Sequence, residues 1–152
     1  MKEKPQYSYR DGKSEAVMFV FKRNNQLLIE HRFDKEPPEP YIPNGSIEMR
    51  DRIAAGDKGD YREVALRREI DEEFRGKITP IKYEYLSEFT VEQRKSIFYI
   101  YEVSEWLGEF ERYSVEEGKV AAELEWVNEV RARTLFIYPL LFHALDVAFP
   151  KK

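Results

Sequence analysis

The chain contains no cysteine, which excludes disulfides, thiolate zinc sites and cysteine nucleophiles. It has two histidines, His31 and His143, and they stand alone. His31 ends an apolar run beside Arg32, within reach of a phosphate, although an isolated histidine is ordinarily structural; His143 carries no expected role. Long apolar runs are also missing. The longest, residues 135–149, is interrupted by Pro139, His143 and Asp146 and is too short for a bilayer. The opening MKEKPQYSYRDGKSE lacks the apolar core of a signal peptide, so the cytoplasm is the expected location. There is no excess of positive charge: the net charge is −4 and the basic residues are scattered. Neither a nucleic-acid polymer nor a membrane is therefore an expected partner. What is present is apolar mass, 42% hydrophobic and 14% aromatic over 152 residues, enough for one domain spanning the chain with no linker.

Residues 1–14 are polar and read as a flexible arm or edge strand. Glu15 to Lys22 (EAVMFVFK) and Gln26 to Arg32 (QLLIEHR) are β-branched and aromatic runs joined by Arg23-Asn24-Asn25, which predicts a hairpin. The proline-rich stretch from Phe33 to Pro40 predicts a surface loop, followed by a short strand at Tyr41-Ile42. Ile81 to Thr90 alternates with period two and Lys95 to Val103 is more continuously apolar, predicting a second antiparallel pair. Residues 106–118 stay open. Glu123 to Val127 reads as a short strand, residues 128–133 as a turn or short helix, and Tyr138 to Phe149 as an amphipathic helix with Pro139 in its first turn. Strands on both sides of a central helix, with a helix at the end, make an α/β arrangement with a mixed sheet between helices.

The central helix is the stretch from Gly59 to Gly76, GDYREVALRREIDEEFRG. Leu66, Ile70 and Phe74 recur at i, i+4 and i+8, an edge able to dock on a sheet. Glu69, Glu72 and Glu73 at i, i+3 and i+4 project from one face within a turn. Three carboxylates so close repel one another unless a counter-charge sits among them. Magnesium, with manganese as a substitute, suits an all-oxygen donor set. A solvated acidic face is the plain alternative.

The residue order resembles that of a known family. Arg68-Glu69-Ile70-Asp71-Glu72-Glu73, preceded by Ala65, is similar to the Arg-Glu-apolar-x-Glu-Glu heart of the Nudix box. Upstream, Tyr41-Ile42-Pro43-Asn44-Gly45-Ser46-Ile47-Glu48 resembles the strand end and glycine loop that open the box. Residues 49–58 read as an inserted loop between the halves, with Asp60 in the place of the usual glutamate, where, being shorter, it is expected to serve chiefly as an N-cap. Asn44 replaces the first glycine of a pair, where a positive φ would preserve the turn. Arg75 shifts the closing glycine to Gly76, a left-handed residue ending the helix.

The resemblance implies a Nudix α/β/α sandwich and a magnesium-dependent hydrolase cleaving a diphosphate linkage in a nucleoside diphosphate joined to another moiety. It implies Glu69, Glu72, Glu73 and the Gly45 carbonyl as metal ligands, with Arg68 orienting the carboxylates. The general base stays open between Glu69 and a distal Glu116, Glu117 or Glu123. Arg32, Glu48, Arg50 and Arg52 are candidate substrate contacts, the two insertion arginines because charged loops commonly border sites. A Nudix-fold nucleotide-binding or regulatory module without turnover is the alternative. An unpaired sheet edge and the N-terminal arm would allow a homodimer.

Overall fold

The computed structural model describes residues 6–151. The predicted hairpin is present as β2 (Lys13–Arg23) and β3 (Gln26–Arg32). Asn24 and Asn25 both take positive φ between them, as a tight hairpin turn requires. The two strands stay paired only at that turn, Lys22 with Leu27 and Arg23 with Gln26. Beyond it they separate, and each takes a new antiparallel partner. β4 (Glu39–Tyr41) pairs with Glu30 to Arg32 of β3, and β5 (Asn44–Ser46) pairs with Ala16 to Met18 of β2. The sheet is thus split between β2 and β3, and the chain that crosses the split carries Pro43, Asn44 and Gly45.

The second predicted pair is β6 (Thr79–Val91) with β7 (Ser96–Leu107), joined by one turn of 3-10 helix at Glu92–Arg94. β7 lies parallel to β2 along Ser14 to Phe21, which makes the sheet mixed. β8 (Tyr113–Glu116) and β9 (Lys119–Asn128) form a further hairpin, β9 pairing with β3. With β1 (Tyr9–Arg10) on β2, the described residues form a nine-stranded sheet whose main path runs β6-β7-β2-β3-β9-β8.

Strand alternation sends apolar residues to both faces, and a helix covers each. On one face α2 (Tyr61–Glu73) buries Ala65, Leu66 and Ile70, with Phe74 just beyond, against Val17, Phe19, Phe21, Tyr99 and Tyr101. On the other, α3 (Glu129–Leu135) and α4 (Pro139–Ala148) close over Met18, Val20, Ile29, Phe98 and Ile100. This is the α/β/α sandwich. Among the described residues no helix is long and apolar enough to cross a membrane.

Several segments differ from expectation. Residues 49–58 are not a loop: Met49–Ala55 form helix α1, which ends where Gly56 takes φ +66°. The segment thus opens with a second helix lying beside α2. Of the two readings of the N-terminal stretch, residues 6–14 take the edge strand and not the loose arm, because Tyr7 bridges to Glu48 and β1 pairs with β2; residues 1–5 lie outside the described part. Glu39 and Pro40, expected in a loop, belong to β4. Asn44 does not adopt positive φ; it is extended in β5 and its side-chain amide donates to the Ile42 carbonyl at 2.9 Å. Gly76 is left-handed as expected, but Arg75 before it is left-handed too.

Candidate active site

Arg68 organises the site. From the middle of α2 its guanidinium makes a two-pronged contact with Asp51, Nε at 2.8 Å and Nη2 at 2.9 Å. It also donates to the Ser46 carbonyl (3.0 Å) and pairs with Glu69 (3.1 Å), Glu72 (3.1 Å) and Glu48 (3.4 Å). Burial alone would lower its proton affinity; Asp51, Glu69 and Glu48 reverse that and hold it charged. One cation thus joins three segments: α2, the start of α1 and the end of β5.

Asp51 was not among the residues expected to matter. It is 1% exposed, and besides Arg68 it accepts the Glu48 backbone N–H at 2.9 Å, closing the N-terminus of α1. Asp60, assigned to this place from sequence, instead caps α2 through the Arg62 N–H at 2.9 Å and pairs with the Arg62 side chain. The spacing explains the difference. Gly45, five residues, then Asp51 keeps the glycine-to-acid interval of the box, so the added residues fall after Asp51 and not before it. Counting six positions from Gly45 would have found it.

The three helix carboxylates share a side of α2 but meet different neighbours. Glu69 lies against Gly45, where an added Cβ would overlap the carboxylate. Burial pushes its proton affinity up to about 7, with Glu72 and Glu48 adding to the effect and Arg68 opposing it. Glu72 is half-exposed and accepts from Arg50 at 2.8 Å as well as from Arg68. Burial holds Glu73 protonated well above the usual carboxylate range, helped by Glu30 beside it, and its Oε2 has no hydrogen-bond partner. Among the described residues no three acidic or histidine side chains converge as a ready ligand cage. The donors nonetheless suit a hard divalent cation: all are oxygens, one is an orphaned buried carboxylate atom, and they are crowded enough to need positive charge. Arg50 and Arg68 provide that charge here.

The remaining candidates divide. Arg50 borders the carboxylates, bound to Glu48 at 2.6 Å and to Glu72. Among the described residues Arg52 makes no ion pair with the helix carboxylates. It turns inward to Glu15 (2.7 Å) and Ser8 (2.6 Å) and lies over the Tyr61 ring. Glu15 is 1% exposed. Burial works to raise it, but hydrogen bonds from Ser8, Tyr61, Tyr99 and Arg52 outweigh that and hold it below the usual range. Glu123 is the register partner of His31, so it shares His31's face of the sheet, opposite to Glu30 and Arg32, and its carboxylate pairs with Arg112 at 2.7 Å. His31 is occupied by Glu125 at 2.9 Å. Glu116 ends β8, and Glu117 sits at the tip of the β8–β9 turn with φ +50°.

A cleft of about 650 Å³ opens beside the split in the sheet. Its walls include Arg32, Tyr41, Phe89, Arg94 and Tyr138. Tyr41 and Tyr138 have ring centroids 6.0 Å apart, and the Arg32 guanidinium lies 4.3 Å from the Tyr41 centroid. Arg32 accordingly does face a cavity, and the cavity joins the carboxylates through Glu30, which contacts Arg32 at 2.9 Å and lies beside Glu73.

No family model matches the chain, and no curated protein does. Solved structures do. A MutT Nudix hydrolase from Burkholderia pseudomallei superposes with TM-score 0.64 at 18% identity, covering 89% of this chain and 97% of that one. A mutator MutT protein from Bacillus halodurans gives 0.61 at 17%, over 87% and 82%. An ADP compounds hydrolase gives 0.62 at 17%, over 89% and 70%. The fold is that of the Nudix hydrolases.

Proposed function

We propose that the protein is a magnesium-dependent hydrolase, manganese serving as a substitute, that cleaves a diphosphate linkage in a nucleoside diphosphate joined to another moiety. The observation that carries this is the Arg68 assembly: one arginine held by Asp51 and the Ser46 carbonyl presses Glu69 against Gly45 and aligns Glu72 beside it. A solvated acidic helix has no reason to bury Asp51 and Glu48 around such a cation. Fold neighbours that include an ADP compounds hydrolase and MutT proteins support phosphoric-anhydride chemistry.

Glu72, Glu73 and the Gly45 carbonyl would hold the cation. When bound, a divalent ion neutralises the diphosphate oxygens and makes water a competent nucleophile near neutral pH. Glu69 serves as general base, because its proton affinity is already near neutrality and its carboxylate lies against the glycine segment. Arg68 keeps the Glu69 carboxylate pointed at the glycine segment. Arg32 binds phosphoryl oxygens, while Tyr41, Phe89 and Tyr138 offer apolar faces for a base or sugar.

The test is phosphate release, with pyrophosphatase or phosphatase coupled to the products, from nucleoside triphosphates, dinucleotides, ADP-ribose and nucleotide sugars, with magnesium and with chelator, for wild type and Glu72→Gln. Turnover that needs the metal and disappears in Glu72→Gln is expected. A binding module without turnover is the second candidate, favoured by Arg50 sitting on Glu72, the carboxylate a cation would need. Nucleotide binding that survives Glu72→Gln, with no turnover anywhere in the panel, would decide for it.

A further inference from the structure

Glu30 belongs to no motif, yet it is 3% exposed in the middle of an apolar strand, between a carboxylate and an arginine. It is the register partner of Tyr41, so Glu30, Arg32 and Tyr41 share one face of the β3–β4 pair. Its Oε1 accepts the Arg32 Nε at 2.9 Å, and the guanidinium plane lies over the Tyr41 ring. Among the described residues neither terminal nitrogen of Arg32 has a hydrogen-bond partner. Arg32 lines the cleft and Glu30 does not.

We propose that Glu30 is a positioning residue that locks Arg32, by its Nε edge, into a fork whose two amino groups take a phosphoryl group of a nucleotide in the cleft. An arginine fixed on one edge and one face has spent its rotamer entropy before substrate arrives, so both free donors meet a phosphate in a single geometry. Lysine could neutralise Glu30 but would have no second donor held in place. Because Glu30 also lies beside Glu73, the fork is set at a fixed distance from the carboxylate helix. This rests on the hydrolase reading for its ligand, but not on turnover for its test.

The experiment is calorimetric binding of the non-hydrolysable α,β-methylene analogue of ADP, with magnesium, to wild type, Glu30→Gln, Arg32→Ala, Arg32→Lys and the Glu30→Gln/Arg32→Ala pair. Loss of one charge-assisted contact corresponds to about tenfold in Kd. Glu30→Gln is expected to weaken binding by about that factor, and to add nothing in the Arg32→Ala background, since it acts only through Arg32. Arg32→Lys keeps the pair with Glu30, is expected to fold, and should bind as poorly as Arg32→Ala. It carries the test if Glu30→Gln does not fold. Unchanged binding by Glu30→Gln or by Arg32→Lys, or additive losses in the pair, would overturn the proposal. Wild type that does not bind the analogue would overturn it too, and the turnover panel then shows independently whether the hydrolase reading survives.

Discussion

Asp51→Asn is the sharpest test of how the site is built. Asparagine keeps the shape and can still accept the Glu48 N–H, but it removes the charge and turns an amide donor toward the donors of Arg68. Breaking a buried ion pair by deleting one partner costs about 3–5 kcal/mol when the other is left alone. Arg68 keeps Glu48, Glu69 and Glu72 within 3.4 Å, so a smaller loss, about 2–3 kcal/mol, is expected. For a chain of this length that is roughly 4–12 °C in thermal midpoint. Activity should fall further than stability explains, because the guanidinium is free to swing toward Glu72 and carry Glu69 off the glycine segment. The control is Asp60→Asn at the N-cap of α2, where aspartate and asparagine cap about equally and the change should lie within ~0.5 kcal/mol. Calorimetric melts and steady-state rates of both variants at saturating magnesium decide it. If Asp60→Asn lost more stability or activity than Asp51→Asn, the assignment of the motif acid to Asp51 would be wrong.

The two arginines of α1 should separate cleanly. Arg52→Ala strips the cation from buried Glu15 and should cost about 2 kcal/mol in urea unfolding with KM unchanged, whereas a raised KM would return Arg52 to the substrate. Arg50→Ala removes a side chain that is more than half exposed and leaves Glu48 its pair with Arg68, so stability should hold within ~0.5 kcal/mol while manganese binding, read by electron paramagnetic resonance, tightens; weaker binding would contradict competition at Glu72. Gly45→Ala places a methyl where the Glu69 carboxylate lies and should cut turnover by about 10² with the melt nearly unchanged; wild-type turnover would show that Glu69 need not stay there. Glu15 is held below its unfolded value, so its contribution is present above about pH 4.3, the unfolded glutamate value, and is lost as pH falls through the lower folded value. Unfolding midpoints of wild type should therefore drop in acid more steeply than those of Glu15→Gln, and parallel curves would refute the linkage.

What could be read from the sequence follows what is local. The hairpins were legible because strand period and the Asn24-Asn25 turn are encoded within a few residues, and α2 because Leu66, Ile70 and Phe74 repeat with helical period. The fold class followed from the order of those elements. Helix α1 was missed although Glu48 and Asp51 stand at capping spacing and Gly56 ends the segment; taking the added residues as a loop hid both signals. That error propagated. With the interruption placed before Asp51, Asp60 stood in the place of the motif acid, although the N-cap role expected of it there is the one it has.

Arg52, Glu123 and Glu30 show a different limit. Arg50 and Arg52 look alike in sequence, but two residues along a helix is about 200° of rotation, so one reaches Glu72 and the other Glu15. For Glu123 the decisive fact is its register partner, His31, and register between strands 92 residues apart in sequence is set by the sheet as a whole. Glu30 had no signal beyond being a lone acid within Leu27-Leu28-Ile29-Glu30-His31. A buried carboxylate must find a cation or a proton, and here both neighbours, Arg32 and Glu73, come with the split between β2 and β3. That split depends on β4 and β5 replacing each strand as the other's partner. The part of the site fixed by one helix was therefore open to reading, and the part made by two strands parting company was not.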